Sequence, residues 1–289
     1  MNPRSFALFL AMTPGIGGKS VIRVITRNNL LNRSPDQFLA LSPEALREEY
    51  KLSPKAATSL CYDTQSRLRQ TQDLEKRLNG LGVNLVTAAD AAYPSTVEEF
   101  DPDPPGVLFL YGNLKLLAGK TFAVLSSRNA RPAELDQIEM LAEAGVLNSE
   151  VLVAGHDRPE FQRAAVVPLR WGAPRILVLD RGMFRVLGDD LKDEAFRAAR
   201  LWRYQFDPAT DLVVSPFRPE SDFIGVNNKV RDKLVASLAR RLDFVNVSEG
   251  GGMERIMRMA LKAGRVVRIS DAVVGYRRWI EAGAKVIEN

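Results

Sequence analysis

The residues that could do chemistry in this chain are serines, arginines, amides and glycines gathered in short polar stretches. Ser126, Ser127, Arg128 and Arg131 follow the apolar run Phe122–Leu125 and surround the start of a helical pattern at Pro132. Hydroxyls and guanidinium groups there suit a phosphate. Ser248-Glu249-Gly250-Gly251-Gly252 follows the apolar run Phe244–Val247. Glycines between a strand and a helix leave backbone N–H groups free for an anion. Glu249 and Glu254 flank that turn and repel phosphate unless Arg255 or Arg258 offsets them. Asn227-Asn228-Lys229-Val230-Arg231 opens a helical pattern with amides and cations, again suited to phosphates. Gly155-His156-Asp157 places the single histidine beside a carboxylate, which fits either acid–base work or a hydrogen-bonded turn. No G-x-S-x-G nucleophile pattern accompanies it, and no catalytic residue is expected. Each stretch also reads as an ordinary strand-to-helix turn, so the signal lies in where they fall together.

The elements decide that placement. Apolar runs at 107–111, 122–125, 151–153, 175–179, 211–214, 244–247 and 266–269 read as strands. Helical patterns lie near 133–144, 159–171, 190–204, 224–241, 253–263 and 273–282, and Lys285-Val286-Ile287 closes the series. Strands alternating with helices mean βαβ units and a parallel sheet. Ligands of open parallel sheets bind outside the carboxyl ends of the strands. Every polar stretch above falls at such an end, as do Asp180-Arg181-Gly182 and the group Ser215, Pro216 and Arg218. Trp171, Trp202 and Trp279 fall on helices and read as packing residues.

Residues 1–82 read as a separate helical domain, with 83–289 forming the α/β domain. Phe6–Met12 and Val21–Arg27 are helical runs joined by Thr13-Pro14-Gly15-Ile16-Gly17-Gly18-Lys19-Ser20, a helix-hairpin-helix pattern in which Lys19 adds charge beside the glycines. Such a hairpin either approaches a phosphate or serves packing alone. Ser34-Pro35, Ser42-Pro43 and Ser53-Pro54 read as N-cap plus proline helix starts. The last helix is expected to run to about Leu78. Tyr93-Pro94 and Asp101–Pro105 read as a stiff connection.

Composition narrows the function classes. Apolar and charged fractions of 46% and 26% are those of a globular chain. No apolar run reaches the roughly 18 residues of a membrane span, and the N-terminus lacks the pattern of a signal peptide. One cysteine, Cys61, excludes an internal disulfide framework and points to a reducing cytoplasm. One cysteine with one histidine excludes an ordinary zinc site. Neither a metal nor a cofactor is expected. Lys and Arg outnumber Asp and Glu in residues 1–80 and 227–289, while the reverse holds in 81–226. Basic ends fit an anionic partner, or a solvated surface of mixed charge.

From about residue 93 to 287 the order of motifs resembles the DprA/Smf family of DNA-processing proteins. The matching text is Tyr93-Pro94, Asp103-Pro104-Pro105, Leu108–Asn113, AVLSSR at Ala123–Arg128, VAGHD at Val153–Asp157, and ILVLDRGM at Ile176–Met183. It continues with NNKV at Asn227–Val230, SEGGGMERIMRMALKAGR at Ser248–Arg265 and VGYRRWIEAGAKVI at Val274–Ile287. The helical N-terminal residues resemble the domain that precedes this part in the family. The resemblance implies a Rossmann-like, doubly wound, mainly parallel sheet preceded by a small helix-hairpin-helix-like domain. It also implies a protein that binds single-stranded DNA, loads a RecA-type recombinase, forms a homodimer and is not an enzyme. DNA contacts are then expected at Ser127, Arg128, Arg131, Gly155, His156, Asn227, Lys229, Arg231, Gly250, Gly251 and Gly252, with Lys19 as a second contact. The sequence departs from the family where Ser126 replaces a glycine and where Asn227 and Lys229 replace two arginines. It is expected to lack the family's winged-helix domain. The same fold could instead hold a nucleotide, as sensor or cleaving domain, or persist as an interaction scaffold.

Overall fold

The computed structural model describes residues 1–287. Two compact units divide the chain: Met1–Tyr93 with Asp103–Leu110 and Pro216–Arg218, and the remainder.

The first unit is built on helices α1 (Pro3–Met12), α2 (Gly18–Leu30), α3 (Pro35–Leu39), α4 (Pro43–Tyr50), α5 (Pro54–Cys61) and α6 (Thr64–Gly80). Three of these start as the sequence predicts. The hydroxyls of Ser34, Ser42 and Ser53 accept at 3.2 Å from the N–H groups of Gln37, Ala45 and Ala56. The single helix expected from Ser53 to Leu78 is broken after Cys61, where Asp63 adopts φ 49° at the start of α6. Phe38 anchors the core, edge-on to Phe6 at 5.5 Å and to Tyr50 at 4.9 Å. The unit extends past residue 82. Strand β1 (Asn84–Thr87) pairs antiparallel with the start of β2 (Val107–Gly112), with Asn84 opposite Leu110.

The second unit begins with α7 (Ser95–Phe100), a short helix inside the stretch expected to be a plain connection. It continues with β3 (Thr121–Ser126), α8 (Pro132–Leu147), β4 (Val151–Gly155), α9 (Pro159–Ala165), α10 (Val167–Arg170), β5 (Arg175–Val178) and α11 (Phe184–Leu187). Then follow β6 (Leu212–Ser215), α12 (Asn227–Leu238), β7 (Arg241–Asn246), α13 (Gly252–Lys262), β8 (Val266–Ile269), α14 (Tyr276–Glu281) and β9 (Lys285–Val286). The strands lie in the order β6-β5-β4-β3-β7-β8-β9, and the paired registers are parallel. The chain lays down β3 to β6 in one direction and β7 to β9 in the other. The topological switch point therefore lies between β3 and β7. β3 to β6 are buried along their whole length, as strands covered on both faces must be.

One expected helix is absent. Residues 190–204 form an irregular strap with a 3-10 turn at Arg197–Leu201. The reason is tertiary. Glu194 turns fully inward to the buried guanidinium of Arg175, which also donates from Nε to Asp211 at 2.9 Å, and Arg203 joins both carboxylates. This buried charge network overrides a modest helix propensity. The tryptophans correct another expectation. Trp279 is buried, but Trp171 and Trp202 are exposed and terminate their turns.

Candidate functional site

The carboxyl ends of β3, β4 and β5 and the start of α12 meet in one polar cluster. Arg231 is its centre. Its side chain is 0% exposed, and it donates to the carbonyl of His156, to Asp232 at 2.7 Å and to Asn228 at 2.6 Å. Its guanidinium lies over the Phe161 ring at 4.9 Å. The sequence expectation of a phosphate contact meets here a cation already sequestered and fully partnered. Gly155 is what admits it. A Cβ at that position would stand 2.5 Å from Cδ of Arg231 and 2.7 Å from the Phe161 ring.

His156 and Asn227 are buried as well. His156 donates from Nδ1 to Asp180 at 3.0 Å and stacks on Phe196 at 5.6 Å. Asn227 donates to the Asp180 carbonyl at 2.7 Å. Burial pushes the Asp180 carboxyl up, but the hydrogen bonds from His156 and Arg181 outweigh it and hold the group at about 2. His156, Asp157 and Asp180 place ligand atoms within 4.8 Å of one another. Arg181 lies across both carboxylates, at 2.5 Å from Asp157 and 2.9 Å from Asp180, so a guanidinium fills the place a cation would take.

At the switch point the crevice is closed by the protein itself. The Ser127 hydroxyl accepts from the N–H of Ser248 at 2.8 Å, and the Ser127 N–H donates to the Asn246 carbonyl at 2.7 Å. Asn246 donates to Glu134 at 3.2 Å. Arg131 forks onto Glu134, with Nε at 2.9 Å and Nη2 at 2.7 Å, and its own N–H caps the same carboxylate. The Gly250–Gly252 turn is also occupied. Gly250 donates its N–H to Glu254, and Gly251 donates to the Ser248 carbonyl at 3.1 Å. The hydrogen bonds from Arg258 and Gly250 hold the Glu254 carboxyl below the usual carboxylate range. In the first unit Lys19 is ion-paired with Asp103, and Arg218 donates to the Ala11 and Thr13 carbonyls at 2.7 and 2.6 Å. That guanidinium caps the C-terminal end of α1.

What remains open is a cleft of about 260 Å³ on the β3–β4 side of the switch point, lined by residues that include Arg128, Asn129, Arg158, Phe223 and Asn228. Asn129 and Asp157 take the left-handed conformation, φ 63° and 70°, and turn the two strand-end loops around it. Arg158 forms a buried wall, donating to the Ser126 carbonyl at 3.3 Å. Burial lowers its pKa. Arg128 and Lys229 are exposed and make no ion pair among the described residues. Phe223 is 37% exposed, and Arg181 lies against its ring at 5.1 Å. Sequence reasoning passed over Phe223, and it placed Arg181 at a strand end without giving it a role. The available signal was a phenylalanine in a loop, outside any apolar period.

A sequence profile of the family described as DNA recombination-mediator protein A matches residues 84–289. No curated protein matches the chain. Among solved structures, DNA processing protein A (DprA) from Streptococcus pneumoniae superimposes with a TM-score of 0.72 at 20% identity, covering 99% of this chain and 95% of that one. DNA processing protein A from Helicobacter pylori gives a TM-score of 0.54 at 17% identity, covering 72% of this chain and 91% of that one. The structures share the Rossmann-like fold, and the profile spans well over half of the sequence: the chain belongs to the DNA recombination-mediator protein A family.

Proposed function

We propose that the strand-end cleft binds single-stranded DNA. The observation that carries this reading is the exposed Arg128, which makes no ion pair among the described residues and lines the cleft with the exposed Phe223 ring; Lys229, exposed and likewise without an ion pair, follows the lining Asn228 in the chain. Cations on the backbone and an aromatic face for a base are the two components of single-strand binding. The relative from H. pylori is described as binding single-stranded DNA, which supports the same ligand. Arg231, His156, Asn227 and Gly155 are positioning residues in this account. They fix the loops from beneath and touch no phosphate. Glu254 fills the glycine turn, so Gly250–Gly252 contributes structure. Arg131 adds an exposed charge at the first turn of α8.

The family's description as a recombination mediator supports a RecA-type recombinase as partner, and the resemblance supports a homodimer. Co-purification with the recombinase and light scattering measure each. The single cysteine, Cys61, fits a reducing cytoplasm.

Anisotropy of a labelled single strand, titrated across salt and against mononucleotides, tests the reading. It requires binding that weakens steeply with salt and resists mononucleotide competition. Displacement by a mononucleotide at equal concentration points instead to a nucleotide sensor, and absence of binding at low salt leaves a scaffold.

A further inference from the structure

The strap at residues 196–205 carries groups that the cleft does not use. Its text is FRAARLWRYQ, in which arginines and aromatics interleave without a carboxylate. Phe196 and Ala199 are buried and hold its inner side. Arg203 is fixed by Glu194 at 3.3 Å and by Asp211. The outer side faces solvent: Trp202 is 41% exposed and Tyr204 75% exposed. Arg170 lies against the Trp202 ring at 5.1 Å and Arg200 against the Tyr204 ring at 5.8 Å. Arg197 and Arg200 are exposed and make no ion pair among the described residues.

Arg170, against Trp202, is paired with Glu139, but the two exposed rings and the unpaired Arg197 and Arg200 on one strap form a stacking platform with counter-charges for a polyanion. A protein partner burying Arg197 and Arg200 would have to supply a carboxylate at each, whereas a nucleic acid strand supplies a phosphate at every nucleotide. The strap is anchored beneath the strand ends by a buried contact. Its first residue, Phe196, stacks on His156 with an interplanar angle of 16°, and His156 is bonded to Asp180 at the carboxyl end of β5. From there the strap runs to Arg203, which meets Asp211 at the opposite end of the sheet, just before β6.

We propose that the strap is a second single-stranded nucleic-acid contact, in which Trp202 and Tyr204 stack on bases and Arg197 and Arg200 take phosphates. A strand long enough to reach from the cleft to the strap engages both. The proposal rests on the cleft being a single-strand site.

The test uses the full chain, oligo(dT) of two lengths and two variants. The strap variant carries Arg197→Ala, Arg200→Ala, Trp202→Ala and Tyr204→Ala, all at exposed positions, so its melting curve should match the parent. The cleft variant carries Arg128→Ala and Lys229→Ala. The strap variant is expected to lose about tenfold or more in affinity for the long strand. Its salt slope flattens by about 1.4, for two lost phosphate contacts. A strand too short to leave the cleft binds it as it binds the parent. Unchanged long-strand affinity in the strap variant, with loss in the cleft variant, discards the strap and keeps the cleft. Loss in the strap variant alone discards the cleft reading and, with it, the proposal of a second contact that extends the cleft. A shift in oligomeric state of the strap variant, with DNA binding unchanged, makes the face a protein interface and overturns the proposal.

Discussion

The N–H of Gly250 donates to the carboxylate of Glu254, four residues on, so the anion that the glycine turn can hold is already part of the chain. Arg258 donates to the same carboxylate at 2.6 Å and Arg278 at 3.3 Å. The local text has every component of an anion site, and the structure has filled it. Removing the charge with Glu254→Gln should open it. The expected outcome is a lower melting temperature, and a larger rise on adding inorganic phosphate than the parent shows. Equal phosphate responses contradict this account of the turn.

Gly250 itself is held at φ 67°, where a side chain strains the backbone. Gly250→Ala should cost about 1 kcal/mol of stability. Because its N–H serves Glu254, the affinity for single strands should not change. Denaturant titration beside anisotropy separates the two effects.

Arg231 holds the strand-end loops together from a fully buried position. Arg231→Met leaves the His156 carbonyl without its donor and Asp232 with only Arg158, at 3.5 Å. Breaking such a buried charge pair costs about 3–5 kcal/mol. Gly155→Ala forces a methyl against Arg231 and Phe161, and overpacking of that kind costs about 1–3 kcal/mol. Both variants should shift the denaturation midpoint more than any substitution at Arg128 or Lys229.

Asp180 adds a pH dependence with a definite sign. Its carboxyl is held at about 2, below the ordinary 3.8. The stabilisation is complete above the ordinary value and is lost as pH falls toward 2. With solvent screening allowed for, it amounts to about 1–2 kcal/mol. The parent should lose stability across that window faster than Asp180→Asn. Parallel curves in acid denaturation contradict the assignment.

The sheet was legible in the sequence because buried parallel strands are short, mostly apolar runs, as β3 to β6 are, while β7 and β8 kept enough apolar residues around Asp243 and Arg268 to be found. Their carboxyl ends could be found for the same reason. The roles of the residues at those ends could not. Arg128 and Arg231 are both cations after a predicted strand or at a helix start, yet one is exposed and the other wholly buried. Which applies depends on Gly155 and Phe161, distant in sequence from Arg231. Helices with local signals, such as the Ser-Pro starts at Ser34, Ser42 and Ser53, were equally legible. The strap after residue 190 was not, because Glu194 answers to Arg175 and Arg203 rather than to its own neighbours. Phe223 was missed because a single loop phenylalanine has no periodicity to mark it.

The most direct measurement is the affinity of Arg128→Ala/Lys229→Ala for a labelled single strand, compared with the parent across salt. The account predicts that the variant keeps the parent's melting temperature, binds several-fold more weakly at low salt, and has a salt slope flatter by about 1.4. A folded variant with the parent's affinity and slope would contradict the claim that the strand-end cleft is where DNA is held.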